Sequence, residues 1–395
     1  MFRILHRGRR KMTDDILLLK QGVKQMTETF LQKSTPKHPA WNLELERSGG
    51  ENKWNYVDGL MILSLLKIFE LTGDPQYLRF CDCFMDWFVQ EDGSVKTMDS
   101  SAARLDDVCG ARTFFPLYEL TGKEKYRKAC DFMFHFLRSC CRTDGGNFWH
   151  KGVYPDQVWL DGAYMAMPFY MEYETKLNGM RNYHDLYNQF MSIRKNMRDA
   201  GTGLYFHGFD ASRSAEWADQ ATGCSRSFWL RAIGWLAMAL TDTLEKMDEQ
   251  IYYEYRSIES MLKDLVDALL PWQNESGMFY QVVNRPNDER NYLETSGTCM
   301  VAYAIMKAAR LHLIPERYRR FGETAFLGTA KLYFHRENGE PSLGGICLVG
   351  GLGGAPKRDG TPEYYYSEPV VKNEGKGVAP FLLAYAELLQ KDFEC

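Results

Sequence analysis

Long apolar stretches alternate along the chain with polar ones punctuated by glycine, and the alternation repeats. Phe69-Glu70-Leu71-Thr72-Gly73, with Tyr77 four residues on, recurs as Tyr118-Glu119-Leu120-Thr121-Gly122, with Tyr126 at the same offset. Each pentapeptide closes an apolar helical stretch (60–69; 111–120) and precedes another (77–88; 126–137). Glycine just past the last apolar turn has the place of a helix C-cap, because it enters the left-handed conformation without a Cβ clash. The unit is helix, Thr-Gly turn, helix.

The unit continues in weaker form. Six segments open on a polar stretch and a glycine and run into a long apolar helix: Asp58-Gly59, Asp107 to Gly110, Asp161-Gly162, Arg231 to Gly234, Ser296-Gly297 and Lys376-Gly377. Successive glycines lie 51, 52, 72, 63 and 80 residues apart, room for a helical hairpin plus a loop. The stretches after them, such as 300–306 and 379–389, are small or apolar on nearly all sides, as inner helices are. Those between, such as 126–137 and 253–270, mix charged with apolar residues and suit an outer layer. Six inner and six outer helices describe an all-α (α/α)6 barrel. A two-domain bundle is the alternative, but no Pro/Ser-rich linker divides the chain. The irregular stretch 337–374 carries Tyr364, Tyr365 and Tyr366 and reads as an ordered loop. The expectation is one catalytic domain over 12–395, preceded by a disordered basic extension over 1–11.

Composition narrows the partners. With 45% hydrophobic and 25% charged residues the chain is ordinary for a globular protein, and a net charge of −4 asks for neither nucleic acid nor an anionic membrane. The 23 Tyr, 23 Phe and 9 Trp can stack on sugar rings, though most have work to do in helix–helix cores. Ten cysteines show no disulfide framework: Cys81 and Cys83 are too close for a zinc pair, Cys140 and Cys141 are adjacent, and the rest sit in apolar stretches. Buried free thiols point to a reducing compartment. Residues 1–11 are basic (Arg3, Arg7, Arg9, Arg10, Lys11) without an apolar run of signal-peptide length, and no stretch reaches transmembrane length. The cytoplasm is the expected location.

In such a barrel the turns leading into the inner helices gather at one end, so polar residues there converge. Asp161, in Trp159-Leu160-Asp161-Gly162, stands out. An acid at a helix start can serve as an N-cap, stabilising by about 0.5–2 kcal/mol. Its company (Trp149, His150, Lys151, Trp159, Tyr164) points instead to a shielded carboxyl with a raised pKa, suited to general acid catalysis. Both uses stand open. Leu105-Asp106-Asp107 occupies the matching place one repeat earlier, and either acid could face the hole. His207, between Phe206 and Gly208, suits a substrate contact or a structural hydrogen bond. Trp229, Arg231 and Trp235 offer a fork for a carboxylate and faces for stacking, which together suit an acidic sugar. Gly350 to Gly354 resembles a phosphate loop, but no Lys-Ser/Thr follows and Pro356 interrupts any helix. The eight histidines include no HExxH or other ligand spacing, so no metal site is expected.

These residues resemble a known family. Phe148-Trp149-His150-Lys151 and the run from Tyr154 to Ala166, through Trp159-Leu160-Asp161-Gly162, are similar to the signature of the unsaturated rhamnogalacturonyl hydrolases, glycoside hydrolase family 105. So are Trp229-x-Arg231-x-x-Gly234-Trp235, Thr295-Ser296-Gly297, and Gly351 to Gly354 with Arg358-Asp359-Gly360 and Tyr364-Tyr365. Ala232-Ile233 and Val158 depart from the usual residues inside these motifs. The likeness runs from about Trp54 to Leu389 and implies the same barrel. It further implies Asp161 as general acid/base, assisted by Asp106. Trp54, Tyr56, His150, Lys151, Trp159, His207, Trp229 and Arg231 match positions lining the subsite for an unsaturated sugar, with Trp235 and Arg358 alongside. The implied reaction is removal of a 4,5-dehydro galacturonic acid from the non-reducing end of lyase-generated rhamnogalacturonan oligosaccharides, without a cofactor. A glucuronyl hydrolase acting on glycosaminoglycan fragments is the near alternative. A sugar epimerase on the same barrel would need paired catalytic histidines at inner-helix turns, and a non-catalytic carbohydrate-binding protein would have no use for a shielded Asp161.

Overall fold

The two Thr-Gly turns close helical hairpins of the same make. In the computed structural model Gly73 and Gly122 adopt φ of 67° and 69°, and their amides donate to Phe69 and Tyr118 carbonyls, 2.8 Å each. The threonine before each glycine donates its hydroxyl one turn back, Thr72 to Ile68 and Thr121 to Leu117. The sequence repeat is thus a repeat of hydrogen bonds. The structure describes residues 2–354 and 357–390, with side chains from Ile16. The expectation of a disordered extension over 1–11 lies outside the residues whose side chains are described.

In chain order the barrel helices are α1 (Phe2–Lys33), α2 (Tyr56–Thr72), α3 (Pro75–Phe88), α4 (Phe114–Thr121), α5 (Glu124–Ser139), α6 (Leu160–Lys176), α7 (Tyr183–Met197), α8 (Leu230–Lys246), α9 (Tyr252–Leu269), α10 (Thr295–Arg310), α11 (Arg319–Tyr333) and α12 (Gly375–Leu389). Even-numbered helices form the inner ring: α6, α8, α10 and α12 pack each on the next, α12 closes against α2, and α2 and α6 meet the turns over 106–113 that lead into α4. All but the short α4 are buried on nearly all sides: on α8 every residue from Leu230 to Leu244 is. Odd-numbered helices bury one stripe. On α9 it is Tyr255, Ile258, Met261, Leu262, Leu265, Val266 and Leu269, the three-four spacing of an amphipathic helix. The sixth outer helix comes from the start of the chain. On α1 the Thr27 hydroxyl meets Tyr77 of α3 at 2.8 Å, and Gly22 faces the ring of Phe334, just past α11.

One inner helix departs from the reading. The stretch expected as a helix over 111–120 is broken into a turn at Asp106–Cys109, a 3-10 turn at Gly110–Thr113, and α4. Pro116 has no N–H to donate back to Arg112, so the α-helical ladder fails there. Gly110 is also pressed by its neighbours: a Cβ on it would come within 2.6 Å of the Trp54 ring.

Short strands connect the loops. β1 (Gln157–Trp159) pairs antiparallel with β2 (Gly208–Asp210), Trp159 opposite Gly208. Within the stretch 337–374 the structure describes residues 337–354 and 357–374. β3 (Phe334–Glu337) and β4 (Glu340–Leu343) make a hairpin, β5 (Ile346–Cys347) pairs with β6 (Val370–Val371), and a helical turn spans Pro362–Ser367. The nine described cysteines are free, and only Cys83 and Cys141 of them are exposed. Among the described residues no helix is long and apolar enough to cross a membrane.

Candidate active site

The pairing of β1 with β2 sets the centre of the site. It lays Trp159 beside Gly208, and the Leu160 amide donates to the His207 carbonyl at 3.0 Å. Asp161 follows as the second residue of α6. It does not cap that helix: the N-cap position is Trp159, with no side-chain hydrogen bond. The carboxylate is free for another use. Its side chain is 14% exposed, and Oδ2 lies 3.0 Å from His207 Nε2, bent away from the line of a ring N–H hydrogen bond. His207 is fully buried, with Nδ1 2.7 Å from the hydroxyl of Tyr365, itself fully buried. Trp229 lies against both rings, stacked on Tyr365 at 5.3 Å and tilted on His207 at 4.7 Å.

A second pairing delivers the other acid. Arg104 bridges to Lys151 across two loops, and the Leu105 amide donates to the His150 carbonyl at 3.1 Å. Asp106 therefore reaches Lys151 at 2.7 Å and lies 3.7 Å from His150 Nε2. Asp107 turns away, 3.0 Å from Arg104 and almost wholly buried. Of the two acids, Asp106 is the one on the side of His150 and Lys151. Trp159 stacks with His150 at 4.4 Å and with Tyr154 at 5.2 Å.

The electrostatics overturn one expectation. Asp161 was to have a raised pKa among its indoles. Burial does push it up, more than any other single influence, but the imidazoles of His207 and His150 outweigh burial and hold the carboxyl below the ordinary range. Asp106 is lowered in the same way, burial being outweighed by Lys151 and then His150. Asp107 is raised to about 6 because burial exceeds the help of Arg104. Burial brings His150 down to about 4, so it is neutral near pH 7. Sequence showed the aromatic shielding of Asp161 but not the ring nitrogens that face it.

The remaining candidates fall into two groups. Tyr56, at the start of α2, is half-buried, and Arg358 donates Nε to the Gly353 carbonyl at 2.8 Å and lies 3.3 Å from the Tyr154 hydroxyl. Trp54, Trp235 and Arg231 are built into the walls. Trp54 stacks on Phe114 at 5.7 Å and donates to the Asp107 carbonyl at 2.7 Å. Trp235 is 1% exposed and stacks on Tyr164 at 4.8 Å. Arg231 is 2% exposed; it donates Nε to Ser296 at 2.8 Å and an Nη to the Cys347 carbonyl, with Glu294 at 3.8 Å. The guanidinium that the sequence offered as a fork for a substrate carboxylate is thus engaged by a buried acid and its neighbours. Glu294 explains the Thr295-Ser296-Gly297 motif: it caps α10 by accepting from the Ser296 and Gly297 amides at 3.0 and 2.7 Å. Reading the residues missed Glu294, Tyr154 and Tyr365 as parts of the site. The signals for Tyr365 were its place in a run of three tyrosines and in the Tyr364-Tyr365 pair of the family resemblance.

Comparison with known proteins follows the same residues. Residues 23–391 match the family model described as Glycosyl Hydrolase Family 88. Protein Atu3128 of Agrobacterium fabrum is 40% identical over 233 residues, 57% of this chain and 98% of its own. The unsaturated rhamnogalacturonyl hydrolase YesR of Bacillus subtilis is 24% identical over 265 residues, 66% of this chain and 72% of its own. The solved structure of a C. acetobutylicum glycoside hydrolase from family 105 superposes with a TM-score of 0.85 at 36% identity, covering 92% of this chain and 98% of that one.

Proposed function

The chain belongs to the glycoside hydrolase family 88/105 group, hydrolases of unsaturated uronides, and from that premise we propose that its substrate is a lyase-generated rhamnogalacturonan oligosaccharide ending in 4,5-dehydro galacturonic acid. The observation that carries the reading is the unused carboxylate of Asp161, which caps nothing and reaches the partly open side of the site. Likeness to YesR supports the choice of substrate.

The chemistry needs one well-placed carboxyl, where ordinary glycosidases need two across the scissile bond. The C4=C5 bond and the ring oxygen form a vinyl ether. Asp161 gives its proton to C4, and positive charge develops at C5 and is shared with the ring oxygen. The resulting carboxylate takes a proton from water as that water adds to C5. The hemiketal then opens to a C5 ketone, and the hemiacetal this leaves at C1 collapses to an aldehyde and expels the neighbouring sugar as its alcohol. Asp106, held by Lys151, is a fixed negative charge beside the developing cation. A low pKa in the free protein does not prevent Asp161 from acting as an acid. A bound uronate brings a like charge and excludes water, and both raise a neighbouring carboxyl.

The test is incubation with lyase-treated rhamnogalacturonan, following the absorbance of the unsaturated uronate and the released sugar together. Loss of the band in step with sugar release supports the reading. No turnover there, with turnover of glycosaminoglycan disaccharides, would transfer the activity to the glucuronyl class.

A further inference from the structure

We infer that Tyr365 is a positioning residue: its hydroxyl, 2.7 Å from His207 Nδ1, holds the imidazole with Nε2 toward Asp161 and so sets how tightly that carboxyl keeps its proton. The inference rests on the proposed role of Asp161 as the acid.

The three groups come from three parts of the chain: the first turn of α6, the residue before β2, and the turn Pro362–Ser367. Neither His207 nor Tyr365 has any solvent exposure, so bulk water cannot replace a missing partner. Trp229 packs on both rings and keeps the imidazole from turning. A neutral imidazole donates from one nitrogen and accepts at the other, whereas a charged one donates from both. A hydroxyl on Nδ1 can serve either state. A plain ring there can serve neither, and the charged state, which must donate, loses most. The His207 ring, 3.0 Å from Asp161, is the largest of the influences that lower that carboxyl. Without the hydroxyl the ring loses its partner on Nδ1, its hold on Asp161 weakens, and Asp161 keeps its proton to higher pH.

Other charges face the same groups. His150 and Asp106 act on Asp161, and Lys151 is paired with Asp106. Tyr364, Asp161, Cys347 and Asp359 act on Tyr365 through their charges. None of these touches His207 Nδ1 among the described hydrogen bonds, where Tyr365 is the partner.

The experiment compares wild type with Tyr365→Phe and with 3-fluorotyrosine placed at 365, which keeps the ring and hydroxyl but makes the oxygen a weaker acceptor. The Asp161 carboxyl carbon is followed by NMR against pH in the free protein, assigned by its absence in Asp161→Asn. Tyr365→Phe is expected to move the Asp161 midpoint up by about half to one pH unit, the size of one net hydrogen bond expressed as a pKa. Fluorotyrosine moves it the same way by less. With substrate, the pH at which kcat falls moves in the same order. An Asp161 midpoint unmoved in both proteins overturns the inference, because a packing role would leave it in place. Fluorotyrosine decides the matter if Tyr365→Phe does not fold. The NMR arm uses no substrate, so failure of the substrate assignment leaves this test standing.

Discussion

Asp106 and Lys151 meet at 2.7 Å because the loops that carry them pair through Arg104, Leu105, His150 and Lys151. Lys151 is the largest of the influences that hold Asp106 below the ordinary carboxylate range against its burial. Lys151→Met leaves the burial and removes the charge, so Asp106 takes up a proton at higher pH. We expect kcat/KM to fall by about 100-fold, the scale of removing one positioned charge from a shielded site. Steady-state rates on the unsaturated oligosaccharide check this, and a change under threefold would remove Asp106 from the mechanism.

Asp161→Asn should lower kcat by about 10²–10⁴-fold, the range for a general acid. The melting temperature should hardly change, since Asp161 caps no helix and accepts no hydrogen bond from the core among the described ones. Kinetics and thermal melts on the same preparation are the measurement; activity within tenfold of wild type rules Asp161 out.

The pH dependence separates free protein from complex. Asp161 starts below the ordinary range, and a bound uronate pushes it up. The reaction needs its protonated form, so rates fall as pH rises through its pKa. The fall in kcat, which reports the complex, should therefore lie at higher pH than the fall in kcat/KM, which reports the free protein. Coincident limbs would show that substrate does not raise it.

Arg231→Lys tests the wall. Lysine keeps the charge but loses the fork that joins Ser296, Cys347 and Glu294. From the residues, a solvated arginine would change kinetics and leave stability alone. With the guanidinium buried, we expect a loss of about 1–3 kcal/mol, the cost of unmaking a buried charged hydrogen bond. The denaturant midpoint reads it.

The inner helices also carry a charged cluster away from Asp161. Asp242 lies 2.7 Å from Arg112 and 2.8 Å from Lys307, which in turn reaches Glu245 at 3.0 Å. Lys307→Met breaks a buried pair and should cost about 3–5 kcal/mol. Burial opposes but does not prevent the lowering of both acids, Asp242 well below the usual range and Glu245 to about 2. Folded values below unfolded ones mean that the stabilisation is present above the unfolded carboxylate pKa, about 4. It is lost as pH falls through the native values. Chemical denaturation between pH 7 and pH 3 should show stability falling, and falling less in Lys307→Met.

The sequence by itself determined the ring. Helical period, Thr-Gly caps and apolar inner stretches are local properties, written in residues a few positions apart, and the barrel follows from repeating them. The same local signs put Asp161 at an inner-helix start and spoke against disulfides. Tertiary structure alone decided what faces what. His207 and Tyr365 are 158 residues apart in the chain and 2.7 Å apart in space. Whether Asp161 rises or falls, whether Asp106 or Asp107 faces Lys151, and whether Arg231 is wall or contact all depend on such meetings. Charge acts through distance and burial in space, and a single sequence carries periodicity but no distances between its loops.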